Sequence, residues 1–303
     1  MIDLNRLETE GRNPFSAHID TLSTLEMIQI IHAEDKRAVD AVTSILPKIA
    51  DAVNKISPRI KKSGRLIYCG AGTSGRLGIL DAVECPPTYG TPPELVIGLI
   101  AGGTNAMFQA KEGAEDDENL GKEDIASLNV TELDTVVGLS ASGRTPYVVG
   151  ALQCAKQRGA LTIAIACTLS SPIASISDID LTAATGAEVV TGSTRMKAGT
   201  AQKMILNMLS TGIMIRLGKV YGNLMVDVAA TNEKLRERAL RIVAEVAHCT
   251  RKEAASALHT ANGRAKPAIL IAVGKCTHEE AQRLLQQTDG QLADALRIIK
   301  GAK

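Results

Sequence analysis

Five short apolar runs punctuate the chain: "RLIYCGA" (65–71), "ELVIGLI" (94–100), "DTVVGLSA" (134–141), "LTIAIAC" (161–167) and "DLTAAT" (180–185). They are β-rich and apolar on both faces, the texture of strands covered by helices on both sides. Between them lie helix-like segments such as "YVVGALQCAKQRG" (147–159), which closes on Gly159 as helix C-termini often do. Strands alternating with helices imply an α/β protein with a parallel sheet.

The flanks read differently. "STLEMIQIIHAEDKRAVDAV" opens with Ser23 and Glu26 in capping-box spacing and carries Leu25 and Ile28 at helical intervals, so residues 1–54 are expected to form an N-terminal helical arm. "GTAQKMILNMLSTGIMIRLG" (199–218) places Met204, Met208, Leu209 and Ile213 along a long, deeply buried helix. From about Asn232 the texture changes: Thr250 with Glu253 and Thr277 with Glu280 open two short helices of a strand-poor tail. The boundary is placed near Thr231, giving a main domain over 55–231 and a small helical domain over 232–303.

Several function classes are excluded early. With 34 basic and 33 acidic residues the net charge is +1, which gives no electrostatic case for nucleic acid or an anionic membrane. Aromatics are only 2% of the chain and Trp is absent, so base stacking is poorly supported and the core must be aliphatic. The six cysteines form no C-x-x-C pair, which suits a reducing cytoplasm. No apolar leader and no run of about 18 apolar residues occurs, so a soluble, unexported protein is expected. Histidines 18, 32, 248, 259 and 278 show no metal-ligand spacing, so no metal site is expected.

The first apolar run leads into Gly70-Ala71-Gly72-Thr73-Ser74-Gly75-Arg76, which spells G-x-G-x-x-G. A loop entering a helix N-terminus is an anion site whatever the ligand, so the pattern alone does not name a dinucleotide. The second run ends "GLIAGG" (98–103) without the acid that would hold a ribose, which counts against NAD. The loop instead adds paired hydroxyls at Thr73 and Ser74, and the third run leads into "LSASGRTP" with Ser140, Ser142 and Thr145. Two hydroxyl-rich loops at the carboxyl ends of strands in one sheet point to a single phosphate, with helix N-capping as the structural alternative. Walker A fails for want of Gly-Lys-Ser/Thr, and neither Ser74 nor Ser142 lies in G-x-S-x-G.

"TGSTRMKAGTAQK" (191–203) sets Arg195 and Lys197 just ahead of the long buried helix, where cations oppose the macrodipole unless an anion lies nearby. Two carboxylates stand out as candidate acid–base groups. Glu84 directly precedes Cys85-Pro86-Pro87, at the expected end of its helix. Glu115 follows the second run beside Met107, Ala110 and Ala114, although Glu112, Asp116, Asp117 and Glu118 also read as a solvated acidic face.

Together "GAGTSGRLGILDAVECPPTYG", "LSASGRTPY", "GAEVVTGSTRMKAGTAQK" and "GNLMVDVAATNEKL" closely resemble the bacterial N-acetylmuramic acid 6-phosphate etherases. These belong to the sugar isomerase (SIS) domain superfamily and are related to the glucokinase regulatory protein. The resemblance runs from about Leu4 to Lys234. It implies a five-stranded parallel sheet in a three-layer α/β/α sandwich, a small all-helical C-terminal domain, and a homodimer with its active site near the subunit interface. It implies catalysis without metal or other cofactor, on a sugar-phosphate substrate in the cytoplasm, serving recycling of cell-wall amino sugars.

In that family the glutamates of "ECPPT" and "EGAED" form the catalytic pair, which here are Glu84 and Glu115. Thr73, Ser74, Ser140, Ser142 and Thr145 fall where the superfamily holds the phosphate. Gly72, Arg76, Arg144, Ser193, Arg195 and Lys197 are weaker candidates for substrate contact, the cations among them for the lactyl carboxylate. The implied chemistry removes the C2 proton of the ring-opened sugar, expels the C3 lactyl ether and adds water. Glu84 is assigned as the acid and Glu115 as the base. The alternatives are a sugar 6-phosphate aldose–ketose isomerase and a non-catalytic sugar-phosphate-binding regulator. A DNA-binding regulator would need a basic recognition helix, which the tail lacks.

Overall fold

The structure, a computed structural model, describes residues 8–109, 111–227 and 233–301. Residue contacts divide the chain into two compact units, one of residues up to Val83 with Glu94–Ser210, the other of Glu84–Pro93 with the chain from Thr211 onward. The boundary placed near Thr231 lies outside the described residues, as does Ala110.

The first unit opens with α1 (Thr24–Thr43) and α2 (Leu46–Lys61). Ser23 caps α1 as its spacing predicts, with its hydroxyl accepting from the Glu26 N–H while the Glu26 carboxylate accepts from the Ser23 N–H. Then come β1 (Leu66–Gly70), α3 (Gly72–Tyr89), β2 (Val96–Ile100), α4 (Glu118–Ser127), β3 (Thr135–Leu139), α5 (Pro146–Gln157), β4 (Leu161–Ile165), α6 (Pro172–Ile176) and β5 (Ile179–Asp180). The five strands are parallel in the order β2-β1-β3-β4-β5.

Both faces of the sheet are covered, which is why the strands read as unbroken apolar runs. Ile67, Cys69 and Val136 pack with Ile125 of α4 and Tyr147, Val148 and Ala151 of α5 on one face. On the other face α3 lies so close that a Cβ on Gly78 would stand 3.0 Å from the Cβ of Tyr68. There the Tyr68 hydroxyl donates to Asp81 of α3 at 2.8 Å, and Ser210 of the helix α7 (Lys197–Arg216) donates to the same carboxylate at 3.0 Å.

Two sequence expectations shift. The fifth run pairs formally only over Ile179–Asp180, yet it stays bonded to its neighbour: Leu181 N donates to Ala164 O at 2.8 Å and Ala183 N to Ala166 O at 2.9 Å. The α3 helix does not stop at Glu84 but continues through Pro86 and Pro87 to Tyr89. Proline φ suits a helix, and two prolines in its last turn forfeit only two of its hydrogen bonds.

Among the described residues the second unit holds the ends of α3 and α7, a short antiparallel pair, β6 (Val220–Tyr221) with β7 (Leu224–Met225), and five further helices. These are α8 (Glu233–Ala247), α9 (Arg251–Thr260), α10 (Ala265–Gly274), α11 (His278–Gln287) and α12 (Leu292–Gly301). They enclose their own core around Val243, Ala268, Ile269, Leu270 and Leu296. Thr250 and Thr277 form the expected capping boxes with Glu253 and Glu280.

Candidate active site at the switch point of the sheet

The chain leaves β1 toward β2 on one side and later returns to β3 on the other. The loops after β1 and β3 therefore diverge, and the crevice outside such a switch point is where open α/β sheets take their ligands. A cavity of about 370 Å³ lies there, lined by Gly72, Thr73 and Ser74 of the first loop and by Ser140, Ser142, Arg144 and Thr145 of the second. Glu10, Glu115, Asp116 and Thr194 complete its wall.

The glycine pattern turns out to serve packing at this corner. A Cβ on Gly75 would meet Ile100 Cγ1 at 2.6 Å and the carbonyl oxygen of Gly70 at 2.7 Å, so strand and helix backbones touch only because both residues are glycine. The α3 N-terminus is thereby pressed against the strand end, with its first N–H groups unspent by the helix. That is an anion seat in shape, and β2 runs out into Ala101-Gly102-Gly103 with no acid for a ribose.

The N-capping alternative for the hydroxyls does not hold. Thr73 and Ser74 lie inside α3 rather than ahead of it. Thr145 occupies the N-cap position of α5, but its side chain makes no capping bond and pairs instead with Ser140 Oγ at 2.8 Å. Ser142 Oγ stands 3.5 Å from Ser140 Oγ. Ser74 donates to Oε1 of Gln202 on α7 at 2.9 Å, a buried partner the sequence reading missed.

The acidic run after β2 divides by task. Asp117 caps α4 by accepting from Leu120 N at 3.0 Å, and Glu118 pairs with Lys122 at 2.7 Å. Glu115 and Asp116 sit in a single turn, Ala114–Asp116, anchored by buried Ala114, and both line the cavity. A second cavity of about 200 Å³ is lined by Ala71, Gly72, Arg76, Lys111, Glu112 and Glu115. Glu115 thus lines both.

Not every candidate is gathered here. Ser193 and Arg195 line neither cavity, although Thr194 between them does. Glu84 also lines neither; it is exposed on α3. Lys197 is buried, with Nζ 2.5 Å from Glu34 Oε2, and Asn13 donates to the same oxygen at 2.7 Å. The anion expected near this helix start is supplied by the chain itself. Besides Glu34, fully buried Glu188 accepts from the N–H groups of Lys197 and Ala198 at 3.0 and 2.9 Å. Burial pushes the Glu188 carboxyl above its ordinary value although those two bonds pull the other way. Asp116, read as part of a solvated acidic face, lines the cavity, while Glu10, Lys111 and Gln202 went unread; only Gln202 carried a signal, as a polar residue among Ala201, Ile205 and Leu206 on an otherwise buried helix.

Gly143 sets the shape of the second loop. Its φ is +66°, and a Cβ there would fall 2.2 Å from Ser171 Cβ. Gly143→Ala is expected to displace Ser142 and Thr145 together, raising the KM for sugar phosphate by about tenfold or more and lowering Tm; steady-state kinetics and calorimetry check both.

A doubly covered five-stranded parallel sheet with a hydroxyl-lined crevice at its switch point is the arrangement of a sugar isomerase (SIS) domain. Residues 120–212 match the SIS domain family and residues 48–156 the glucokinase regulatory protein N-terminal SIS domain. An N-acetylmuramic acid 6-phosphate etherase from Photobacterium profundum is 57% identical over 274 residues, 90% of this chain and 91% of that protein. One from Caldanaerobacter subterraneus subsp. tengcongensis is 54% identical over 295 residues, 97% of this chain and 96% of that protein. Among solved structures, a phosphoheptose isomerase from Francisella tularensis matches with a TM-score of 0.49 and 16% identity, over 64% of this chain and 100% of that one. The chain belongs to the N-acetylmuramic acid 6-phosphate etherase family.

Proposed function

We infer that the chain cleaves the D-lactyl ether of N-acetylmuramic acid 6-phosphate, giving N-acetylglucosamine 6-phosphate and D-lactate in amino-sugar recycling. The observation that carries the mechanism is the placement of Glu115 on the same cavity as the hydroxyls of both loops. Thr73, Ser74, Ser140, Ser142 and Thr145 hold the 6-phosphate at the α3 N-terminus, which fixes the sugar relative to Glu115.

Ring opening frees the C1 aldehyde, which acidifies the proton on C2. The Glu115 carboxylate takes that proton and the C2–H electron pair moves into an enolate across C1 and C2; the enolate then collapses, re-forming the C1 carbonyl and making the C2=C3 bond as the C3–O bond breaks. Glu84, as the acid, protonates the departing lactyl oxygen; because it is exposed and lines neither cavity of its own chain, in this reading it is presented to the site of a second copy. Water then adds at C3 and a proton returns to C2, so the product differs from the substrate only by hydroxyl for lactyl ether.

The chain acts in this reading as a cytoplasmic homodimer with the site near the subunit interface. Leu80 and Val83, 45% and 58% exposed on one face of α3 beside Glu84, support it, since a second copy would cover them. No helix among the described residues is long and apolar enough to cross a membrane. The helical arm 1–54, catalytic domain 55–231 and tail 232–303 are kept as the working division.

The test is turnover of N-acetylmuramic acid 6-phosphate in deuterated water, with D-lactate assayed enzymatically and the product sugar examined by NMR. Lactate release with deuterium at C2 is expected. Exchange at C2 without lactate would instead indicate an isomerase, and neither event in a protein that binds the sugar phosphate would indicate a regulator.

A further inference from the structure

We propose that the smaller cavity is the subsite for the lactyl carboxylate, read by Arg76 and Lys111. This rests on the reading that the larger, hydroxyl-lined cavity takes the 6-phosphate. The substrate carries two anions, one on C6 and one on the ether at C3, and the base must work at C2 beside that ether. A residue shared by two anion cavities has that station, and Glu115 is the carboxylate that lines both.

The two cavities differ in how they would meet an anion. The larger offers hydroxyls, the start of α3 and the Arg144 cation beside Glu10, Glu115 and Asp116, while the smaller places two cations, Arg76 and Lys111, beside Glu112 and Glu115 in about 200 Å³. Arg76 is set in the first turns of α3 and half-buried. Its Nε donates to the Met107 carbonyl at 2.9 Å and its Nη2 to the Ala106 carbonyl at 2.8 Å. These bonds fix the guanidinium plane and leave the Nη1 donors, a geometry suited to a carboxylate.

The stem of Lys111 lies over Gly102, where a Cβ would meet its Cδ at 2.8 Å. The backbone thus makes room for this side chain at the cavity wall. Glu112 and Lys111 both line the cavity and are both exposed, so water screens the two opposite charges alike and the anchored, half-buried Arg76 supplies most of the attraction. After cleavage the sugar presents only a hydroxyl at C3, so the attraction that selected the substrate does not retain the sugar product.

The experiment compares Lys111→Ala and Arg76→Lys with the parent chain, using three probes: N-acetylmuramic acid 6-phosphate, its lactyl methyl ester, and N-acetylglucosamine 6-phosphate. In the parent, esterification is expected to lower kcat/KM by roughly 10- to 100-fold, the range for a lost hydrogen bond to a charged group. Each variant is expected to lose about tenfold with the acid, lose little further with the ester, and bind N-acetylglucosamine 6-phosphate like the parent by titration calorimetry. Equal losses on acid and ester, or weakened binding of the lactyl-free sugar, would overturn the assignment. Lys111 is exposed, so its variant is expected to fold even if Arg76→Lys disturbs the Ala106–Met107 turn. Ser140→Ala tests the phosphate reading separately: unchanged binding of N-acetylglucosamine 6-phosphate there would remove that reading, whatever the acid-to-ester ratio shows.

Discussion

Glu115→Gln is expected to lower kcat by about a thousandfold while N-acetylglucosamine 6-phosphate binds as in the parent chain. Glutamine keeps the size and hydrogen-bonding reach of the side chain but takes up no proton at neutral pH. Deuterium exchange at C2 of the substrate is expected to disappear with lactate release, because both need the C2 proton removed. Glu84→Gln is expected to lose lactate release to a similar degree yet retain C2 exchange, since the acid is needed only when the ether departs. The reverse pattern, exchange surviving at Glu115→Gln and lost at Glu84→Gln, would interchange the two roles. A parent-like kcat for Glu115→Gln would remove it from the chemistry altogether.

The second large effect is on stability. Lys197→Met removes the buried cation from Glu34 and leaves it only the half-exposed Arg37 at 3.2 Å, so the loss is expected at the lower end of the about 3–5 kcal/mol seen when a buried pair is broken. For a domain of this size that corresponds to a fall in Tm of about 10 °C. Burial by itself raises the Glu34 carboxyl, but Lys197, Asn13 and Arg37 together outweigh it and hold the group below its ordinary value of 4.5. Its contribution to stability is therefore present above that value and is lost as pH falls through the lower folded value. The parent is expected to lose stability on acidification in this window and Lys197→Met to lose less. A Glu34→Leu/Lys197→Met pair should recover much of the Tm, since neither charge is then buried alone. If Lys197→Met instead raised KM at unchanged Tm, Lys197 would return to the substrate contacts.

The contrast between Glu115 and Lys197 shows what a linear sequence conveys. The five strands were legible because burial on both faces leaves an apolar run, and their ends were blurred because formal strand pairing stops before backbone hydrogen bonding and apolarity do, as at Leu181–Thr185. The hydroxyl loops were legible because chain order places both at carboxyl ends of strands. Lys197 looked like a ligand contact because the partner that explains it, Glu34, lies 163 residues away and joins it only on folding. Glu10 and Lys111 were unread for the same reason, since each reaches the cavities through tertiary approach without local spacing to mark it, and Gln202, though conspicuous as a polar residue on a buried helix, meets its partner Ser74 only on folding. The helix extension through Pro86 and Pro87 was missed because proline reads as a helix breaker, whereas here its fixed φ lets the helix run on to Tyr89 with two bonds forfeited.

Glu188 has a consequence for discrimination among small anions. Every α-helix start presents the same unspent N–H groups, so a fold that begins several helices beside one sheet risks several interchangeable traps for phosphate, sulfate or chloride. By folding its own carboxylate onto the start of α7, the chain closes one such trap permanently, with a counter-ion that dilution cannot remove. Openness at the start of α3 then distinguishes one address from an otherwise identical one, and selectivity begins with which terminus is left unsealed.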